Sequence, residues 1–178
     1  IHFCRISANL EELAGEVPGD LRLDYTTPND VGVGFVDRLA RIKVNGWQPL
    51  VALSIPWKVP KWFYTGAKEG KPFWQFNLDG SEVAQGAESD QLLALERFAE
   101  QLAQGLKEQG FSGLTWETIY EIGHEAPMPA LHYHIGRGIR AADPTAKLMG
   151  PATWPGWTVE ERFVKPYLAK YGPDLLDY

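Results

Sequence analysis

The chain has 178 residues, 44% of them apolar and 22% charged, with a net charge of −6; this permits one substantial core over residues 1–178 and excludes a disordered or fibrous chain. The basic residues are scattered, which argues against an electrostatic grip on nucleic acid or anionic lipid, and the longest apolar run, residues 50–56, falls far short of the ~20 residues of a membrane span. A single cysteine, Cys4, excludes an internal disulfide.

Residues 7–15 begin with capping oxygens on Ser7 and Asn9 and end at Gly15, which predicts a short helix before Pro18. Residues 21–25 alternate as a strand does, and Thr26, Thr27, Pro28, Asn29 and Asp30 supply turn chemistry. Phe35, Val36, Leu39 and Ile42 recur at helical spacing, closed by Asn45 and Gly46. A strand follows over residues 48–55, apolar on both faces as in a covered parallel sheet. Residues 56–89 form a long segment rich in Gly, Pro and aromatics, a length that in a compact domain points to function.

Asp90 opens an amphipathic helix with Leu92, Leu95, Phe98, Leu102 and Leu106 on one face and Gly110 beyond it. Residues 114–122 read as a strand, 123–129 as a turn, 132–142 as a helix ended by Asp143 and Pro144, and 147–151 as a strand. A helix over residues 158–171 contains Pro166, which should kink it or shift its start. Residues 175–178 look like a strand cut off as it begins.

Strand and helix in alternation predict right-handed crossovers and a parallel α/β sheet. A doubly wound sheet would be complete at this length, whereas a (β/α)8 TIM barrel takes about 250 residues. The barrel is favoured by polar, aromatic and acidic residues after several strands and by the lack of a glycine-rich phosphate loop. The expectation is a partial barrel with about five of its eight units. Such a barrel exposes sheet edges, so self-association or a further C-terminal segment completing it is expected.

Chemistry concentrates in Tyr120-Glu121-Ile122-Gly123-His124-Glu125-Ala126-Pro127. Alternation places Glu125 at the C-terminal mouth of its strand, where an apolar, aromatic surrounding can keep a carboxyl protonated as a general acid. At these residues the sequence resembles the clan A glycoside hydrolases, whose fourth barrel strand carries a Glu-Ile-Trp/Gly-Asn-Glu-Pro signature, and the family 39 type in particular. The segments from Gly46 to Val51 and from Ala142 to Ala152 resemble that family's third- and fifth-strand regions. The resemblance implies a retaining hydrolase of polysaccharide or oligosaccharide with Glu125 as acid/base. Two departures stand out: His124 replaces the Asn that bonds the sugar 2-hydroxyl, and Ala126 is inserted before the Pro. Some clan members also carry His before the catalytic Glu.

Retention requires a nucleophile about 5.5 Å from the acid/base. Glu121 lies four strand residues away, ~13 Å, and Glu117 farther still. In the family the nucleophile ends the seventh strand, and this chain is expected to stop at the sixth. Asp24 reads first as a loop cap or ion-pair partner and Asp79 as a turn residue. Trp57, Trp62, Trp74, Trp154 and Trp157 follow the strands on the mouth side and are candidate sugar-binding residues, with His124; the competing reading is that these rings anchor long loops.

His132 and His134 point about 200° apart on a helix and match no metal-site pattern, so packing or surface roles are expected. No metal and no cofactor is expected. A non-catalytic carbohydrate-binding module is the alternative reading, and a doubly wound binding domain, marked by a non-sequential strand order, a third. Because the chain opens with Ile1 rather than Met, a processed or excised piece is expected; only the resemblance bears on compartment, favouring a secreted or periplasmic protein.

Overall fold

The computed structural model describes residues 2–14, 17, 20–26, 33–54, 73–77, 81–120, 127–152 and 158–178. Among these residues four parallel strands form one sheet in the order β1-β2-β3-β4. They are β1 Phe3–Asn9, β2 Gln48–Ser54, β3 Thr115–Glu117 and β4 Lys147–Met149. The helices are α1 Leu10–Leu13, α2 Phe35–Val44, α3 Asp90–Glu108, α4 Met128–Ala142 and α5 Lys165–Tyr171. A sequential order of parallel strands with right-handed crossovers puts every connecting helix on one face of the sheet. This is the winding of a barrel wall rather than of a doubly wound sheet, and the four strands are consistent with part of an α/β barrel.

The first strand corrects the expected helix over residues 7–15. Phe3, Arg5 and Ser7 are exposed while Ile6 and Ala8 are buried, the period-two pattern of a strand with one covered face. All seven residues pair with β2, from Phe3 opposite Gln48 to Asn9 opposite Ser54, so only the one-turn α1 remains of that helix. The strand expected at residues 21–25 is likewise absent. Leu21 makes one antiparallel bridge to Ala14 and the chain then turns.

The register sorts the strand residues by face. Ile6, Val51, Trp116 and Leu148 lie side by side, and all four are buried with Leu39, Phe98, Leu102, Ile135 and Ile139 of the helices in one core. The opposite face, free of these helices, carries Arg5, Ser7, Leu50, Ala52, Thr115, Glu117, Lys147 and Met149.

α3 follows the expected boundaries, and its first turn is tied by a distant residue. The backbone N–H of Asp90 donates to Asn77 Oδ1 at 3.3 Å, while Ser89, at the N-cap, makes no side-chain cap bond. Gly110 ends the helix at φ 86°, a conformation that glycine adopts without cost. α4 starts at Met128, four residues before the expected start, because Pro129 fits the first turn of a helix. Pro166 has the expected effect: a π-helical turn over Glu160–Val164 precedes α5. Pro166 has no N–H to offer the preceding turn, so the ladder widens there. Beyond α5, Asp177 N–H donates to Leu148 O at 3.1 Å and Tyr178 O accepts from Gly150 at 3.4 Å. The C-terminal residues thus run along β4 without the regular ladder of a strand.

α3 and α4 pack with almost no gap at Gly138, where an added Cβ would sit 2.1 Å from Glu96 O and 2.9 Å from Glu100 N. Both neighbours are backbone, so relief requires the two helices to move apart. Gly138→Ala is expected to destabilise the fold by about 2 kcal/mol, despite the better helix propensity of alanine. A urea unfolding midpoint equal to the parent's would contradict the packing described.

Candidate active site

The C-terminal ends of the four strands form one rim. Asn9 lies opposite Ser54, Tyr120 N–H donates to Leu53 O at 3.0 Å, and Tyr120 bridges Ala152 in parallel fashion. Ala152 N–H closes the row by donating to Ile119 O at 3.0 Å. Three segments rich in candidate residues leave this rim side by side, from Ser54, from Tyr120 and from Ala152. In β/α barrels this edge is where chemistry is placed.

Between Glu117 and the rim the ladder carries an extra residue. Ala52 pairs with Glu117, and the bond from Tyr120 to Leu53 O sets Tyr120 opposite Ser54. Three steps on the β3 side therefore match two on the β2 side, the count of a β-bulge. Simple alternation would send Tyr120 to the helical face. The bulge returns it to the face that carries Glu117.

Contacts on that face agree. Arg5 reaches from β1 across β2, where Ala52 leaves room, to bind Glu117 with Nε–Oε2 at 2.8 Å and Nη2–Oε1 at 2.5 Å. The Arg5 side chain is 42% exposed and that of Glu117 4%, so the acid is the buried partner. The guanidinium also lies 4.2 Å from the centroid of the Tyr120 ring, within cation–π range. Glu117 is thus committed to a forked ion pair and is not a free carboxylate for catalysis.

On the helical face the same stretch is anchored by Thr118. Its hydroxyl lies 2.7 Å from His132 Nδ1, and His132 Nε2 lies 2.6 Å from Leu175 O. A carbonyl only accepts, so Nε2 carries the proton and donates. His132 is fully buried, with its ring edge-on to Phe163 and Tyr167. Burial pushes it down to about 4, against the Leu175 carbonyl and the Asp177 carboxylate, which pull upward.

His134 is buried too, with Nδ1 2.7 Å from Glu96 and Nε2 2.8 Å from Glu88. Glu88 also accepts from Lys170 and Tyr171. Burial alone would raise Glu88, but the bonds from Lys170, Tyr171 and His134 outweigh it and hold the carboxyl at about 2. Both histidines are packing residues, and the surface position allowed for them is corrected. Among the described residues no group of three His, Cys, Asp or Glu side chains is placed to hold a metal ion.

The residues predicted to act are placed as follows. Glu125 and His124 lie outside the described residues, in the connection between Tyr120 and Pro127. Trp57 and Trp62, after Ser54, and Trp154 and Trp157, after Ala152, are outside them as well, as is Asp79. Trp74 is described and belongs to the buried core, 9% exposed, so it anchors the segment before α3. Asp24 lines a cavity of about 580 Å³ with Gly34, the α2 residues Val36 and Asp37, and Gln109 after α3.

Fold and rim define a parallel α/β sheet wound in sequence, with its candidate site at the strand C-termini. The chain is similar in structure to a family 39 glycoside hydrolase from the gut symbiont Bacteroides cellulosilyticus WH2, with a TM-score of 0.55 and 16% sequence identity. The match covers 98% of this chain and 31% of that enzyme, so the chain spans about a third of its length. At this identity the likeness is one of fold. No protein-family model and no curated protein matches the chain. No helix among the described residues is long and apolar enough to cross a membrane.

Proposed function

We propose that the protein is a glycoside hydrolase acting on a polysaccharide or oligosaccharide, with Glu125 protonating the leaving glycosidic oxygen. The observation that carries this reading is the common rim. Ser54, Tyr120 and Ala152 are neighbours across the sheet, so the segments bearing Trp57 and Trp62, His124 and Glu125, and Trp154 and Trp157 all start from one edge. A carboxyl among flat rings suits a sugar, whose apolar C–H faces stack while its hydroxyls seek polar partners. The fold likeness to a family 39 glycoside hydrolase supports the same reading. His124 holds the sugar, and Trp57, Trp62, Trp154 and Trp157 line the site. Trp74 contributes by fixing the segment before α3.

A retaining mechanism needs a second carboxylate about 5.5 Å away. Of the carboxylates weighed for that role, Glu117 is committed to Arg5, Asp24 lines a cavity beside the first turn of α2, and Glu121 and Asp79 lie outside the described residues. The nucleophile in this reading comes from a strand beyond β4. The same observation favours the alternative, a carbohydrate-binding module without catalysis. Titrating the protein with oligosaccharides while following tryptophan fluorescence and reducing-end release separates the two. Release with binding is expected; binding without release identifies the module, and neither response rejects both.

A further inference from the structure

We infer that the outer edge of β1, with the groove between it and α2, is a docking site for an extended acidic segment of another polypeptide, which adds to the sheet as a further strand. β1 ends the strand order, and its register shows what that edge offers. Gln48 N–H donates to His2 O at 2.9 Å, and Phe3 lies opposite Gln48. In a parallel ladder successive residues turn their N–H and C=O to opposite sides. Cys4, Ile6 and Ala8 therefore bond β2. Phe3, Arg5 and Ser7 turn theirs outward, where they meet no backbone partner among the described residues. Proteins guard such edges with short strands, lysine, proline or bulges. β1 has seven residues in unbroken pairing and neither lysine nor proline, and its one charge, Arg5, is drawn across the sheet to Glu117.

The surface beside this edge selects the partner. Two cavities of about 400 and 370 Å³ adjoin it and share Arg41 and Ile42 of α2. The first reaches Ile6 and Arg38, and the second Cys4 and Trp47. Among the described residues none of β2 lines either, so the groove flanks β1 on its outer side. A strand laid on the edge sends every second side chain into this groove, about 6.6 Å apart. One position rests on Ile42 and on Trp47, which is 46% exposed, and suits an apolar side chain. The next meets Arg41, which is exposed and has no ion-pair partner among the described residues, and suits a carboxylate. The charge also decides against a second copy. Two β1 edges joined across a twofold axis would bring the α2 arginines of both copies to the same side of the joined sheet, like charges facing one another.

Fluorescence anisotropy with labelled nonapeptides tests this. Each peptide alternates threonine with groove residues, valine before glutamate in one and the reverse in the other, since a strand can add in either direction. The parent is expected to bind one of them with a Kd of about 100 μM, and its glutamine analogue about tenfold more weakly. Arg41→Glu is expected to cost the same factor. Ser7→Pro removes one outward N–H and leaves the β2 ladder intact, because an edge strand tolerates proline where its nitrogen faces solvent. It is expected to weaken binding about tenfold with a urea midpoint near the parent's. Should Ser7→Pro unfold, Arg41→Glu at its exposed helix position still decides the matter. No binding of either peptide at about 1 mM overturns the inference, as does equal affinity for the glutamine analogue or parent-like affinity in Arg41→Glu. A solution mass of twice the chain's, returned to that of one chain by Ser7→Pro, would identify a second copy as the occupant and overturn it too.

Discussion

Acidifying the protein from pH 6.5 to pH 4 is expected to cost the fold about 3 kcal/mol at His132 alone. In the unfolded chain this imidazole takes its proton near 6.5, whereas burial holds it down to about 4 in the folded protein. Between those values the unfolded state binds the extra proton and the folded state does not. Stability is therefore greatest above pH 6.5, falls through the window and stops falling from this source below about 4. Each pH unit inside the window is worth up to about 1.4 kcal/mol.

Other groups act at lower pH. Glu88 is held at about 2, and bonds from their neighbours hold Asp143 and Asp177 below the usual carboxylate range despite the opposing effect of burial. Stability that depends on these carboxylates is present above their ordinary values and is lost as the pH falls through the depressed ones. Urea midpoints recorded between pH 7 and pH 4 for the parent and for His132→Gln separate the contributions. The slope above pH 4.5 should flatten in the variant. Equal slopes in the two proteins would show that His132 is not the group that takes up the proton. The loss would fall close to the candidate site, since His132 bonds Thr118, two residues before Tyr120.

What could be read in advance depended on whether a signal was local. The stripe of Leu92, Leu95, Phe98, Leu102 and Leu106 fixed α3 because its period belongs to the helix itself, and all five are buried. β2 was legible for a similar reason, being apolar on both faces. β1 was not, since Ser7, Ala8 and Asn9 also spell a helix start. Only the pairing with β2, more than forty residues away in sequence, decides for a strand; tertiary context overrode local chemistry.

The rim shows the same limit. Alternation along β3 gives the wrong face for Tyr120, because the extra residue is visible only when Ala52 and Leu53 are paired against it. The bond from Arg5 to Glu117 joins residues 112 apart, and no spacing rule connects them. The one available hint was Glu117 inside the strand expected over residues 114–122, since a buried Glu needs a partner. The ties of His134 to Glu88 and Glu96 were equally silent in sequence. Trp74 was expected at the mouth from its place in the long aromatic segment, yet its ring belongs to the core.

The role of Glu125 is the claim on which the functional account turns, and a comparison of leaving groups tests it most directly. Removing a general acid costs about 10²–10⁴-fold in rate, and the cost is greatest where the departing oxygen cannot leave without a proton. Glu125→Gln in the complete protein is therefore expected to lower kcat/KM for an oligosaccharide by about that factor, and far less for an aryl glycoside with an acidic phenol. Cleavage of the oligosaccharide by Glu125→Gln at the parent's rate would contradict the account.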